Sequence, residues 1–253
     1  MIPASQKLTL ANKAPGEAEV FYSLQGEGPA TGRPSIFVRL SLCNLTCVWC
    51  DTPYTWNWDD RDFKHDLKER FSRAQEQSIL DFNTLSDLVA KFQCSHFVIT
   101  GGEPMVQQKR LEKWFGYQRG LQPSAVFDIE TNATIVPTTT FDSFVALYVC
   151  SPKLSNCGVI EAERIVPDAM TYFAAHPRAV FKFVVDTDKD LAEIRELQDV
   201  YAIESSRIYL MPLGADNQTA KKRHGWLSER CLDLGYHFSP RLHLMLYGDG
   251  RGV

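Results

Sequence analysis

Short runs of β-branched and aromatic residues recur along the chain, and amphipathic segments rich in charge lie between them. The apolar runs predict buried strands, and they are SIFVRLSL (35–42), HFVIT (96–100), AVFDIE (125–130), ALYVC (146–150), AVFKFVV (179–185) and RIYLMPL (207–213). The amphipathic segments predict helices over residues 84–93, 106–120, 188–204 and 217–235. A last apolar stretch, LHLMLYGDGRGV, predicts a final strand and a polar tail. Strand and helix therefore alternate, which predicts βα units with parallel strands.

The alternation alone fits a doubly wound sheet as well as a full or partial barrel. In either architecture, the loops at the carboxyl ends of the parallel strands form the functional site. Unusual sequence follows four of the predicted strands: a cysteine triplet after the first, TGGEP after the second, ETN after the third and SPK after the fourth. We therefore expect a single site on one rim of the sheet.

The composition fits one large domain. The chain has 253 residues, of which 44% are hydrophobic, and this is enough to fill a core without disulfide bonds. We expect a single domain over residues 1–253, with an N-terminal extension at 1–20 and a polar insertion at 59–77 after the cysteine triplet. A net charge of −4 gives no general attraction to a polyanion, so no nucleic-acid partner is expected.

The lack of a recognisable membrane span or signal peptide and the usage of cysteine both predict a cytoplasmic protein. No segment approaches the roughly 18 apolar residues of a membrane span, and the first twenty residues lack the order of a signal peptide. Seven cysteines, three clustered and four scattered, are a poor basis for a disulfide framework. Metal binding is the better interpretation of the cluster. Buried reduced thiols are the better interpretation of most of the others, which are Cys94, Cys150, Cys157 and Cys231.

The stretch CNLTCVWCDT places Cys43, Cys47 and Cys50 within eight residues. Three thiolates at this spacing suit zinc or an iron–sulfur cluster. Structural zinc needs a fourth ligand, and the nearest downstream histidine is His65 in the polar insertion. No histidine supplies the H-x-E of a zinc deaminase. A [4Fe–4S] cluster bound by three cysteines instead leaves one iron open for an added ligand. The absence of a fourth cysteine is therefore what such a cluster requires.

The order of two motifs carries a family resemblance. C-x3-C-x2-C after the first strand, and Gly-Gly-Glu-Pro at 101–104 after the second, resemble the signature of the radical S-adenosylmethionine (SAM) enzymes. Within that superfamily the chain resembles the 7-carboxy-7-deazaguanine synthases. The matching segments span roughly residues 21–214, and they are FYSLQGEGPATGRPSIFVRL, CVWCDT, VITGGEP, IETNAT, CSPK, FKFVV and YLMPLG. One departure is Ala133, which stands where a glycine is expected after ETN.

The resemblance implies a fold, a reaction and partners. The implied fold is α/β, an incomplete (β/α)6 TIM-like barrel of the radical SAM type. The implied reaction is that of a carbon–nitrogen lyase of 7-deazapurine (queuosine-type) biosynthesis. It converts 6-carboxy-5,6,7,8-tetrahydropterin to 7-carboxy-7-deazaguanine by C6 hydrogen abstraction, ring contraction and loss of ammonia. The implied cofactors are a [4Fe–4S] cluster, SAM and Mg²⁺, with an electron donor such as flavodoxin or ferredoxin. The implied assembly is a homodimer.

The resemblance also assigns site residues, none of them a catalytic acid, base or nucleophile, because the radical is generated from SAM at the cluster. The cluster ligands would be Cys43, Cys47 and Cys50, and the Thr52 hydroxyl would bind Mg²⁺. The SAM site would comprise Trp49, Asp51, Gly102, Glu103, Ser151, Pro152, Lys153, Met211, Pro212, Leu213 and Gly214. The substrate site would comprise Leu24, Gln25, Gly26, Glu27, Arg39 and Thr100.

The chemistry of the substrate suits the LQGEG segment. A carboxylate such as Glu27 matches the guanidine-like edge of the pterin, a guanidinium such as Arg39 matches its carboxylate, and Gln25 completes the edge. The alternative is that Glu27 and Arg39 simply pair with each other on the surface. The residues of ETN, 130–132, either touch a ligand or order the rim. The tryptophans at 49, 56 and 58 either shield the cluster or pack beneath the loop.

Two other functions compete with this interpretation. A glycyl-radical activating enzyme would use the same three cysteines on a protein partner, but LQGEG and Arg39 favour a small carboxylated pterin. A zinc-binding interaction protein without catalytic activity would use the same thiols for structure. Metal analysis separates this last class from the first two.

Overall fold

The computed structural model describes residues 3, 6–60, 63–66, 68, 70–214, 216–248 and 250–253. Its strands are β1 (Lys7–Ala14), β2 (Glu17–Ala18), β3 (Val20–Leu24), β4 (Pro34–Leu40), β5 (Gln77–Asp81), β6 (His96–Gly101), β7 (Val126–Thr131), β8 (Val145–Cys150), β9 (Ala179–Val185), β10 (Ile208–Pro212) and β11 (His237–Phe238). Its α-helices are α1 (Arg73–Glu76), α2 (Phe82–Val89), α3 (Gln108–Leu121), α4 (Thr139–Asp142), α5 (Glu161–Arg164), α6 (Pro167–Ala175), α7 (Asp188–Tyr201), α8 (Asn217–Leu234) and α9 (Leu242–Tyr247).

One mixed sheet joins these strands. Its order is β11-β10-β9-β8-β7-β6-β4-β1-β2, with β3 paired to β4 and β5 paired to β1. Every neighbouring pair from β4 to β11 is parallel, whereas β1, β2, β3 and β5 pair in the antiparallel sense. The predicted α/β class with a largely parallel sheet is confirmed. The order runs from β11 to β2 as an open sheet, so the barrel type stays a prediction.

The predicted elements agree with the observed ones in the parallel part of the sheet. All six predicted strands are present, as β4 and β6 to β10, with bounds within two residues of the prediction. The four predicted helices correspond to α2, α3, α7 and α8. In the part of the chain that is described, no helix is long and apolar enough to cross a membrane.

Both ends of the chain differ from the prediction. Within the predicted N-terminal extension, the described residues Lys7–Ala14 form β1, which lies in the sheet with Leu8 and Leu10 fully buried. The final strand predicted from LHLMLYGDGRGV is wrong, since this segment begins with helix α9. A short continuous apolar run fits a strand and a helix turn equally well, and here only Leu244 of the run is buried.

The parallel strands bring two predicted loops into backbone contact. The cysteine loop leaves the carboxyl end of β4, and TGGEP leaves the neighbouring β6. Gly102 donates its N–H to Leu40 O at 3.0 Å, and Glu103 donates to Leu42 O at 2.8 Å. Gly101 has a φ of +133°, a conformation that favours glycine. The sheet therefore sets the two loops side by side at one rim.

Candidate active site

One cavity opens at this rim and gathers nearly all the predicted site residues. Those that line it are Leu24, Gln25, Gly26, Glu27, Arg39, Cys43, Cys47, Trp49, Cys50, Asp51, Thr52, Thr100, Gly102, Ser151, Lys153, Met211, Pro212, Leu213 and Gly214. Glu103 and Pro152 lie outside the lining. The predicted cluster, SAM and substrate residues therefore converge on a common space.

The cysteine loop is held from two sides. Val48 donates its backbone N–H to Cys157 O at 2.9 Å, and its carbonyl oxygen accepts from Asp66 N–H at 2.8 Å. A ring nitrogen of His65 lies 2.9 Å from the carbonyl oxygen of Cys50. These bonds fix the backbone while all three thiols line the cavity. Within the described ranges, no three His, Cys, Asp or Glu side chains form a group suited to one metal ion.

The three thiols need a cationic partner to ionise. Burial raises the pKa of Cys43 to about 12 and also raises the pKa of Cys50. A hydrogen bond to the neighbouring Cys157 thiol, together with burial, raises the pKa of Cys47. Thiolates are the forms that bind metal, and a bound cationic centre lowers the pKa of its thiol ligands. The chemistry of the three thiols therefore fits an iron–sulfur cluster. As predicted, Cys150, Cys157 and Cys231 are buried free thiols, and Cys94 is free and half-buried.

Glu103 of TGGEP is fully buried and binds protein groups. Its Oε1 accepts from the Met105 N–H and the Thr131 hydroxyl, both at 2.8 Å. Its Oε2 accepts from the Asn132 N–H at 2.7 Å. Burial raises the pKa of this carboxyl group. The side chain thus ties the loop after β6 to the loop after β7 and stays out of the cavity, so Thr131 and Asn132 order the rim.

The predicted SAM residues of two loops contact one another. Lys153 Nζ lies 3.1 Å from Ser151 Oγ and 5.6 Å from the centroid of the Trp49 ring. The Trp49 indole N–H donates to the Asn156 carbonyl oxygen at 2.9 Å. An ammonium and an indole ring are therefore held together at the cavity wall, beside the cysteine loop.

Glu130, at the end of β7, is an oriented carboxylate in the cavity. Gln25 Nε2 donates to its Oε1 at 3.1 Å, and Thr100 Oγ1 donates to its Oε2 at 3.2 Å. Lys182 Nζ lies 3.8 Å from Oε1. Two residues assigned to the substrate by sequence thus point their donors at a carboxylate of the ETN motif.

Glu27 is the centre of an ion-pair network. Lys182 donates to its Oε2, Arg241 Nε donates to its Oε1 at 3.3 Å, and His243 Nε2 lies 3.9 Å away. Burial acts to raise the pKa of Glu27, but Lys182 and Arg241 outweigh it and hold the pKa well below its usual range. Arg241 also donates to Asp51 and to the Gly214 carbonyl oxygen.

Arg39 has a different partner. Its Nε donates to Glu19 Oε1 at 2.8 Å, and Glu19 Oε2 accepts from the Tyr54 hydroxyl at 2.9 Å. The alternative that Glu27 and Arg39 pair with each other is therefore wrong. The Arg39 guanidinium lines the cavity, and none of the described residues accepts a hydrogen bond from its two terminal nitrogens.

Sequence reasoning missed several cavity residues, among them Lys182, Arg241, His243 and Val253. Lys182 carried a signal, because a lysine stands in the middle of the apolar strand AVFKFVV, and its side chain is only 4% exposed. Arg241, His243 and Val253 come from the final segment, for which the sequence predicted no site role. Their placement depends on how that segment folds back over the LQGEG loop, where Leu242 donates its N–H to Gly26 O at 2.9 Å.

Known proteins resemble this chain over most of its length, although no protein-family model matches it. A 7-carboxy-7-deazaguanine synthase from Pyrobaculum aerophilum is 34% identical over 239 residues, which cover 92% of this chain and 95% of that protein. The synthase from Hyperthermus butylicus is 33% identical over 96% and 97% of the two chains. The synthase from Rhodopirellula baltica is 31% identical over 93% and 88%.

A solved structure supports the fold. The crystal structure of QueE from Escherichia coli matches with a TM-score of 0.64 and covers 94% of this chain and 95% of its own. Its sequence identity is 24%, so this match bears on the architecture alone.

Proposed function

The chain belongs to the 7-carboxy-7-deazaguanine synthase family of deazapurine biosynthesis, and from this premise we propose that it forms 7-carboxy-7-deazaguanine from 6-carboxy-5,6,7,8-tetrahydropterin as a radical SAM enzyme. One observation carries the proposal: the three thiols, the residues assigned to the pterin and those assigned to SAM, apart from Glu103 and Pro152, line the same cavity. The sheet would be an incomplete (β/α)6 barrel, and residues 1–253 a single domain.

Cys43, Cys47 and Cys50 would hold a [4Fe–4S] cluster with SAM on its open iron. When bound, the two cofactors supply the radical that abstracts the C6 hydrogen of the substrate. The chain supplies placement and charge. Gly102 lines the cavity, and because it lacks a Cβ its loop can pack directly against the Leu42 backbone that leads into the cysteine loop. Ser151, Lys153 and residues 211–214 would complete the SAM site.

The two ends of the pterin call for opposite charges. Arg39 has two terminal nitrogens free of described acceptors, which suits the substrate carboxylate. The guanidine-like edge needs carboxylate acceptors, and Glu27 and Glu130 are the anionic candidates in the cavity. Lys182 lies between them, where it lowers the pKa of Glu27 and fixes the positions of both carboxylates. Substrate binding would therefore draw on Gln25, Glu27 and Thr100, as the sequence predicted, and on Glu130.

The carboxylate assignment predicts a selective binding defect. Glu27→Gln and Glu130→Gln should each raise KM for the pterin and lower kcat/KM about 10- to 100-fold, since a charge-assisted hydrogen bond contributes roughly 1.5–3 kcal/mol. Cluster content should remain normal. Asp142→Asn is the control, because Asp142 is a half-buried carboxylate paired with Arg178 at 2.7 Å outside the cavity. An unchanged KM in both Glu variants would remove these carboxylates from the substrate site.

Thr52 would bind Mg²⁺ through its hydroxyl, with substrate oxygens and water completing the shell. The hydroxyl lines the cavity and lies 3.7 Å from Cys50 Sγ. Thr52→Val should abolish the stimulation of turnover by added Mg²⁺, whereas the wild-type protein should lose activity in a chelator and regain it with Mg²⁺. Equal Mg²⁺ stimulation of both proteins would reject this site.

The reaction is tested directly by product analysis. The protein, reconstituted with iron and sulfide under anaerobic conditions, is incubated with 6-carboxytetrahydropterin, SAM, Mg²⁺ and a strong reductant. Mass spectrometry should detect 7-carboxy-7-deazaguanine. 5′-Deoxyadenosine without that product would keep radical chemistry but reject the substrate, and zinc without iron or sulfide would reject the radical reaction. The physiological setting we propose is a cytoplasmic homodimer that takes electrons from a flavodoxin or ferredoxin.

A further inference from the structure

Trp56 lies beneath the cysteine loop and contacts the sulfur of a proposed cluster ligand. The residue is 3% exposed, and its indole N–H donates to Cys50 Sγ with an N···S distance of 3.4 Å. A buried indole N–H requires an acceptor, and Cys50 is the one it has among the described residues. The ring stands edge-on to Phe63 and His65, with centroid distances of 5.9 and 6.0 Å. The indole is therefore held by ring contacts as well as by its hydrogen bond to the sulfur.

Cys50 Sγ lies 3.7 Å from the Thr52 hydroxyl and 3.4 Å from the Trp56 indole nitrogen, and an indole donor is found at neither of the other two sulfurs among the described residues. Cys43 Sγ accepts from the backbone N–H of Leu45 at 3.5 Å, which belongs to the ligand loop itself. Cys47 shares a hydrogen bond with the Cys157 thiol, and thiols hydrogen-bond only weakly. Trp56 provides a side-chain N–H from outside the three-cysteine segment. It can therefore be replaced without changing the loop that carries the ligands.

A hydrogen bond to a cluster sulfur affects the two oxidation states unequally. The reduced cluster carries one more negative charge than the oxidised cluster, so an N–H donor stabilises the reduced state more. Cys50 is half-buried, and the buried indole that donates to it keeps water from one side of the sulfur, where a lower local dielectric strengthens such a bond. Donation from Trp56 therefore shifts the equilibrium towards the reduced cluster.

We propose that Trp56 is a positioning residue that raises the reduction potential of the cluster through its hydrogen bond to Cys50. The inference rests on the proposed function, because it requires a cluster on the three cysteines. The electron comes from an external one-electron donor of the flavodoxin or ferredoxin class, and the indole gives up neither a proton nor an electron. Its contribution is to ease the reduction that must precede hydrogen abstraction.

Trp56→Phe, compared with Trp58→Phe, tests the proposal. Trp58 is 1% exposed, and its indole N–H donates to the Tyr54 carbonyl oxygen at 3.3 Å. Both substitutions thus remove a buried indole and one hydrogen bond from the same segment, but only one removes a bond to sulfur. Each protein is reconstituted anaerobically, its iron and sulfide are counted, and the midpoint potential of the cluster is titrated by electron paramagnetic resonance (EPR).

The expected result is a lower midpoint for Trp56→Phe and an unchanged midpoint for Trp58→Phe. At a fixed solution potential, the ratio of reduced to oxidised cluster should fall about fivefold, the size of one net hydrogen bond. Equal midpoints in the wild type and Trp56→Phe, or equal shifts in both variants, would overturn the inference. A wild-type protein that assembles no iron–sulfur cluster would instead reject the proposed function.

A second measurement uses the wild-type Trp56 side chain and tests the proposal even if the Trp56→Phe protein does not assemble a cluster. The protein is prepared with ¹⁵N-indole tryptophan, and the reduced cluster is studied by pulsed EPR. A hydrogen-bonded indole nitrogen should be coupled to the cluster in the wild type and should remain coupled in Trp58→Phe. A cluster without any coupled indole nitrogen would contradict the bond to Cys50.

Discussion

Gly102→Ala is expected to abolish the formation of 7-carboxy-7-deazaguanine. A Cβ on Gly102 would lie 2.2 Å from the carbonyl oxygen of Leu42 and 2.6 Å from its carbonyl carbon. This backbone leads directly into Cys43, and the hydrogen bond from Glu103 N–H to Leu42 O holds it in place. Leu42 already has a φ of +80°, so it has little freedom to move. Either the cysteine loop or the TGGEP loop must therefore shift.

Such a shift should be costly because both loops carry the proposed cofactor site. A displacement of about 1 Å at a reacting centre lowers rates by about 100-fold, and weaker SAM binding adds to this loss. Product formation is measured by mass spectrometry, and SAM binding by equilibrium dialysis of the reconstituted protein. Gly225→Ala is the control, because a Cβ there meets nothing within 4 Å in helix α8. It should keep full activity and gain about 0.5–1 kcal/mol of stability. Wild-type turnover by Gly102→Ala would show that the close approach of Gly102 to the Leu42 backbone is not required for activity.

The parallel half of the fold could be predicted because its signals are local. Continuous apolar strands such as 179–185 and amphipathic helices such as 217–235 can each be recognised from the residues of a single segment. The antiparallel part could not be predicted in this way. Strand β1 is recognised as part of the sheet only through its pairing with β5, more than sixty positions along the chain. Helix α9 is likewise fixed by its packing, since its sequence also fits a strand.

The site residues, too, could be predicted only where their signal is local in the sequence. Residues within the motifs, such as Cys43 and Ser151, were found because each motif follows a strand of the parallel sheet. Glu103 shows the limit of a motif, since its place in TGGEP does not reveal that both carboxylate oxygens bind protein groups. Ala133 has a φ of +60°, which explains why a glycine was expected there: the left-handed conformation is needed whichever residue adopts it. Arg241 had no local signal, because its partners lie far away in sequence.

Arg241→Gln is the second substitution with a large expected effect. The guanidinium uses its three nitrogens on three different segments: Nε on Glu27 of the LQGEG loop, one terminal nitrogen on Asp51 beside the cysteine loop, and the other on the Gly214 carbonyl oxygen after β10. The side chain is 8% exposed. One residue therefore connects the proposed substrate site with two parts of the proposed SAM site, one of them directly after the last cysteine of the cluster motif. Removing one partner of a buried ion pair costs about 3–5 kcal/mol, and we expect the lower end because Asp51 is 48% exposed.

The catalytic effect should exceed the effect on stability. With the three segments no longer tied together, KM should rise for both SAM and the pterin, and kcat/KM should fall about 100- to 1,000-fold. Arg241→Lys should recover only part of this, because an ammonium keeps the charge but cannot meet three acceptors in fixed directions. Arg230→Gln is the control. Arg230 pairs with Asp233 at 3.0 Å on the surface, where such pairs contribute about 0–1 kcal/mol. If Arg241→Gln kept wild-type KM values for both ligands, the three segments would hold their geometry without the guanidinium. The contacts of Arg241 would then contribute to stability alone.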